Sequence, residues 1–137
     1  MSDISVTGSS VKLISGPKKT LIAGVAITAG QPLYREKATG KMKLTDADSA
    51  TAEARNCDGV ALNPAAADQP VSFAYQKGSI LEFNAVLTAG TQYLASDTAG
   101  GIRPAADANS GDYIVQIGVA TSTTRMQLCI NNSGALV

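Results

Sequence analysis

Along most of the chain, apolar and polar side chains alternate. Val71, Phe73 and Tyr75 stand against Ser72, Ala74 and Gln76, and Met126, Leu128 and Ile130 stand against Arg125, Gln127 and Cys129. Tyr113, Val115, Ile117 and Val119 continue the pattern, as do Leu81, Phe83, Ala85 and Leu87. A period of two sends successive side chains to opposite faces, so these runs predict strands with one buried face. Clusters of Gly, Asn, Asp or Pro bound each run and mark turns. One segment departs from the alternation. Asp46 to Arg55 is rich in Ala, opens with Thr45 and Asp48 at capping spacing, and ends at Asn56, a residue suited to a left-handed stop. It predicts one short helix, held across a sheet edge or a barrel mouth by packing because it is too short to stand alone.

The alternating runs also repeat, at an offset of about sixty residues. Ile27-Thr28-Ala29-Gly30 returns as Leu87-Thr88-Ala89-Gly90, Gly40-Lys41-Met42-Lys43 as Gly100-Gly101-Ile102-Arg103, and Asp58-Gly59-Val60-Ala61 as Ile117-Gly118-Val119-Ala120. Two copies are too few to stack as a solenoid. The expected architecture is therefore all-β with one short helix: a small barrel or sandwich of two pseudo-repeated β modules, about 27–75 and 87–130. Residues 20–137 form one domain on this reading, and residues 1–19, which precede the first repeated block, form an N-terminal arm.

Composition sharpens the expected core. The chain has 137 residues, 45% of them apolar, but only 4% aromatic and no Trp, so Ala, Val, Ile and Leu must build most of the interior. A core that poor in large side chains gains from burying a further face against other subunits. Tyr34, Phe73, Tyr75, Phe83, Tyr93 and Tyr113 fall mostly at core or repeat-equivalent positions and are not interleaved with Lys or Arg, so no stacking platform for nucleic acid is expected. The longest apolar run, Leu21 to Ile27, is far shorter than a membrane-spanning helix requires, and no secretory leader is visible, so the expectation is a soluble product of a cytoplasm.

Candidate chemistry is sparse. The chain has no His, which removes the commonest general base and zinc ligand and the Ser-His and Cys-His nucleophile pairs. Cys57 and Cys129 are too far apart for a Cys-x-x-Cys motif; they are expected as reduced, small apolar residues, while a disulfide between them turns on their Cα separation. Gly16-Pro17-Lys18-Lys19-Thr20 lacks the earlier glycine of a phosphate loop and reads as a turn into a strand. Asp107, Asn109 and Asp112 alternate like calcium ligands, yet the sixth-position Gly and the twelfth-position acid are missing, and an Asx-type turn accounts for them. A hydrolase built on Asp46, Asp48 or Glu53 would need a cleft that separates carboxylate pKa values. No cofactor, metal or small-molecule substrate is expected.

Charge is balanced, with eleven basic and eleven acidic residues, but it is split along the chain. Residues 1–43 carry seven basic and two acidic side chains, and residues 44–137 carry four basic and nine acidic ones. Such a split reads either as ordinary solvated faces or as a basic front that docks on an acidic surface of a partner or a sister subunit.

The Thr-Ala-Gly turns leading into strands (Ile27 to Tyr34, Leu87 to Leu94), the Asp- and Ala-rich stretch Thr45 to Ala54 running into Gly59 to Val71, and the closing Gly118 to Leu128 together resemble the capsid decoration, or head cement, proteins of tailed bacteriophages. The resemblance covers roughly residues 20–130. It implies a small β-rich subunit, synthesised in the host cytoplasm, that trimerises on the outer surface of the expanded head, binds the major capsid protein and stabilises the shell without performing chemistry. It carries no catalytic residue. Position and charge make Lys12, Lys18 and Lys19 of the arm the candidate capsid contacts. The rival expectation is a carbohydrate-binding or fibre-type β module on a virion or cell surface, which would cluster solvent-exposed aromatics on one face.

Overall fold

The computed structural model describes residues 3–137, and within them one five-strand unit occurs twice. The strands are β1 (Lys12–Ser15), β2 (Lys18–Ile22), β3 (Pro32–Arg35), β4 (Met42–Leu44), β5 (Gly59–Ala61), β6 (Pro70–Ala74), β7 (Ile80–Glu82), β8 (Gln92–Ala95), β9 (Ile102–Pro104), β10 (Tyr113–Ala120) and β11 (Arg125–Leu136). One antiparallel sheet has the order β2-β6-β5-β3-β4, and the other has β1-β7-β11-β10-β8-β9. With β1 set aside, the second order is the first one shifted by five strands. Each sheet is thus one copy of the repeat, and the two sheets pack as a sandwich; there is no closed barrel.

The recurring motifs occupy matching places. Gly30 and Gly90, with φ of 91° and 82°, end the Thr-Ala-Gly turns in left-handed backbone that a side chain would strain, and each turn feeds β3 or β8. Their N–H groups bond to the carbonyls of Ala61 and Ala120, both at 2.8 Å, which ties each turn to the Gly-Val-Ala strand of its own copy.

The larger apolar cluster lies between the sheets. Leu81, Phe83, Tyr93, Ile102, Ile117, Met126 and Leu128 of the six-stranded side meet Ala47, Cys57, Val60 and Ala74 of the other. A smaller cluster, Ile27, Leu33, Met42, Ala61, Val71 and Phe73 with Ala23 and Ala65, fills the opposite face of the five-stranded sheet. Thus Val60 and Ala74 face the main core while their neighbours Ala61 and Phe73 face the satellite, as strand alternation requires.

Three expectations need correction, besides the run Leu81 to Leu87, which is strand only over Ile80–Glu82 and leaves Ala85 exposed. The helix over Asp46–Arg55 is a single 3-10 turn at Ala52–Arg55, and Asn56 is extended (φ −91°, ψ 155°). Short polar side chains capture the backbone there instead. Asp46 accepts from the Asp48 N–H at 3.4 Å, Ser49 Oγ accepts from the Thr51 N–H at 3.1 Å, and the buried Thr45 hydroxyl, far from capping a helix, donates to the Asn56 carbonyl at 2.8 Å. In β10 the alternation breaks: the register shifts between Gln116 and Gly118 against both neighbours, so Ala120 rather than Val119 is buried.

The third concerns the arm. Residues 1 and 2 lie outside the described residues, but residues 3–19 are woven into both sheets. β1 pairs with β7, and Lys18 and Lys19 belong to β2, which pairs with β6 inside the first copy. In the first copy the sheet curls until Ala23 and Met42 form one parallel bridge, backed by the Gly24 N–H on the Met42 carbonyl at 2.8 Å. In the second copy the equivalent carbonyl, of Ile102, accepts from the N–H of Ile4 at 2.8 Å. Asn84 holds the same segment in place, donating to the Ser5 carbonyl and accepting the Thr7 N–H, both at 2.9 Å. The N-terminal segment therefore fills, in the second copy, the gap that the first copy closes directly.

Candidate functional site

β2, β3, β4 and β6 present one common face. Leu33 and Arg35 stand opposite Leu44 and Met42, while Lys19 and Leu21 stand opposite Phe73 and Val71. Between this face and Ile130 of β11 lies a groove of about 510 Å³. Buried Met42, Cys57 and Phe73 form its floor, half-buried Leu21, Tyr75 and Ile130 its walls, and exposed Lys19, Arg35, Lys37 and Asp58 its rim. Asn132 fixes the β11 side: its carboxamide accepts the Cys57 N–H at 2.8 Å and donates to the Cys57 carbonyl at 3.1 Å.

The rim carries uncompensated positive charge. Of the seven basic residues before position 44, Lys41 pairs with Asp68 at 2.6 Å and Lys43 with Glu36 at 2.7 Å. Lys12, Lys18, Lys19, Arg35 and Lys37 have no ion pair among the described residues. Asp58 is the one carboxylate that lines the groove, but it accepts the Arg35 backbone N–H at 2.8 Å. Lys19 lies over the Tyr75 ring, 4.4 Å from its centre, and Phe73 meets Tyr75 edge-on at 6.5 Å.

Of the three predicted contact residues only Lys19 lines the groove. Lys18 is its strand neighbour and points to the opposite face, and Lys12 sits on the other sheet beside Glu82. Arg35, Lys37, Met42 and Tyr75 were not singled out as a group by the sequence, because only the register of β3 against β4 and of β2 against β6 brings them together. Burial pushes the Cys57 thiol up to about 12, so it remains protonated at neutral pH and donates to the Gly59 carbonyl at 3.4 Å. Both cysteines are free thiols.

A second polar cluster lies at the six-stranded sheet. Arg103, only 4% exposed, donates to Asp3 through Nε at 3.1 Å and Nη2 at 2.9 Å, to Asp97 at 2.7 Å, and lies 3.7 Å from Asp112. Asp48, Asp97 and Asp112 bring carboxylate oxygens within 4.8 Å of one another. The guanidinium beside Asp97 and Asp112 supplies there the positive charge that a cation would supply. In place of the expected Asx turn, Asn109 to Asp112 close a backbone turn, the Asp112 N–H donating to the Asn109 carbonyl and the Asp112 carboxylate accepting the Asn109 N–H, both at 3.1 Å, and Asp107 takes no place in the acidic trio.

Burial, with help from the neighbouring Asp48, pushes the Asp46 carboxyl up to about 6. A carboxyl raised in the folded state gives stability that is fully present below its unfolded value near 3.8 and is lost as pH rises through about 6. Asp46→Asn is therefore expected to raise stability at pH 7, on the order of 1 kcal/mol after solvent screening, and to flatten the fall between pH 4 and 6. Urea titrations of both proteins across that range measure it, and an unchanged pH slope refutes it.

Against known proteins, the chain matches no family model and no curated relative.

Proposed function

We propose that this chain is a structural docking protein that decorates the outside of a tailed-phage capsid as a trimer, binding the major capsid protein. The observation that carries the reading is the segregation of charge. Cations without ion partners ring a groove on the five-stranded sheet, while Asp3, Asp97 and Asp112 gather around Arg103 on the other, with the Asp48 carboxylate close to those of Asp97 and Asp112. Patches of opposite sign on one small subunit suit adhesion to a partner and to sister copies. Ile14, Ile22, Leu136 and Val137, each at least 40% exposed, offer apolar area for such contacts. No described helix is long and apolar enough to cross a membrane.

The carbohydrate-binding alternative asks for open aromatic faces. Tyr34, Phe73, Phe83 and Tyr93 are at most 8% exposed, and the two half-buried rings each have a face under a cation, Tyr75 under Lys19 and Tyr113 under Arg55 at 3.7 Å.

The test is binding to expanded, undecorated heads. Removal of residues 2–19 would take β1 and the start of β2 with it, so charge substitution in the intact chain is the cleaner experiment. Saturable, salt-sensitive occupancy in multiples of three is expected, with heads surviving to higher temperature because the subunit binds the assembled shell and not its parts. An intact protein that binds no head overturns the reading.

A further inference from the structure

We infer that the groove lined by Lys19, Arg35, Lys37, Met42, Phe73 and Tyr75 receives an extended acidic segment of a protein partner, with carboxylates at the rim and an apolar side chain on the floor. The inference rests on the docking reading and narrows it to one site and one ligand chemistry. Charge complementarity argues for the occupant: three cations face one carboxylate, and that carboxylate already accepts the Arg35 N–H. The floor argues for its second property. Met42 is wholly buried and Phe73 is 3% exposed, so the base of the groove is apolar and offers little to an inorganic anion. An acidic peptide with one aliphatic residue satisfies both, the cations selecting sign and the apolar side chain anchoring.

Nucleic acid fits the same charges but not the rings. Phe73 is buried, and one face of Tyr75 is covered by Lys19 while Phe73 abuts the ring, so no platform receives a base. A sulfated sugar meets the same obstacle.

The experiment uses the intact protein and a blocked, fluorescent peptide, Ser-Glu-Leu-Glu-Ser-Asp-Ser, beside a twin in which Gln and Asn replace the acids. The acidic peptide is expected to bind at least about tenfold tighter than the twin at low salt and to lose that advantage at high salt. Arg35→Gln with Lys37→Gln should weaken it about tenfold. Lys18→Gln, a charge change on the opposite face of β2, should leave it unchanged. Equal binding of the twin, an equal loss with Lys18→Gln, or displacement of the peptide by oligothymidylate or a sulfated oligosaccharide at matched concentration overturns the inference.

Heads separate this from the parent proposal. Acidic-peptide binding that follows the variants while no head is bound supports the groove and overturns capsid decoration. Heads fully occupied by the Arg35→Gln, Lys37→Gln variant, with no peptide bound by either protein, overturn the groove alone.

Discussion

Arg103→Ala is expected to cost about 3–5 kcal/mol of folding stability at neutral pH. The side chain is 4% exposed and is the only cation that the described structure places against Asp3, Asp97 and Asp112. Asp112 is itself 3% exposed, so its charge cannot be handed back to water when the guanidinium goes. Burial opposes the Arg103 charge, yet the Asp3 hydrogen bonds and the three carboxylates outweigh it and raise the guanidinium above its ordinary value. The variant leaves three acids facing one another. Protonation relieves that repulsion, so the penalty should shrink as pH falls towards 4.

Arg103→Met separates charge from volume. It keeps an apolar stem in the same space, and a penalty close to that of Arg103→Ala assigns the loss to charge. Urea denaturation of both variants at neutral and acidic pH measures it; a loss below about 1 kcal/mol at neutral pH, or one indifferent to pH, would show the cluster to be solvated and weak. The Asp3 bonds also connect this cluster to the fold's N-terminal closure, because Asp3 precedes the Ile4 N–H that seals Ile102. The same variant should therefore speed amide exchange at Ile4 and Thr7 ahead of the core.

What could be read from the sequence follows how locally each feature is determined. The strands through Val71 and Phe73 and through Met126 and Leu128 were legible because at those positions buried apolar side chains alternate with more exposed polar ones, which fixes a period of two. The duplication was legible because Gly30 and Gly90 hold backbone that other residues strain. The expected helix failed because Asp46, Ser49 and Thr45 spend their oxygens on nearby backbone groups, and propensity counted over Ala cannot see that competition. The arm failed for a different reason. Its bonds run from Ile4 to Ile102, from Asp3 to Arg103 and from Ser5 to Asn84, and contacts between such distant positions leave no local pattern. The groove was half legible: Lys19 stood out by charge, but its convergence with Arg35 over Met42 exists only in the register of neighbouring strands.

The Gly-Val-Ala recurrence has a steric cause, and it predicts the second large loss. Neither Gly59 nor Gly118 has a positive φ, so conformation does not demand glycine there. Space does. A Cβ at Gly59 would press on the Phe73 ring and lie 2.7 Å from the Ala74 carbonyl oxygen; at Gly118 it would press on the Gln127 carbonyl oxygen and lie 3.0 Å from Met126 Cγ. Each glycine lets the next strand pass close over it, at the centre of its copy's sheet. Alanine at either place is expected to cost about 1–3 kcal/mol, the larger loss falling at Gly118. The reason for the order is what stands in the way. Part of the obstacle at Gly59 is a ring, which a smaller side chain withdraws, so Phe73→Leu should recover part of the Gly59→Ala loss in a double-mutant cycle. At Gly118 the obstacle is backbone on β11, so Met126→Leu should recover little, and only a spreading of β10 from β11 can make room. Thermal and urea unfolding of the four single and two double variants measures this, and a Gly118→Ala protein as stable as its parent would mean that the two strands are not packed this closely.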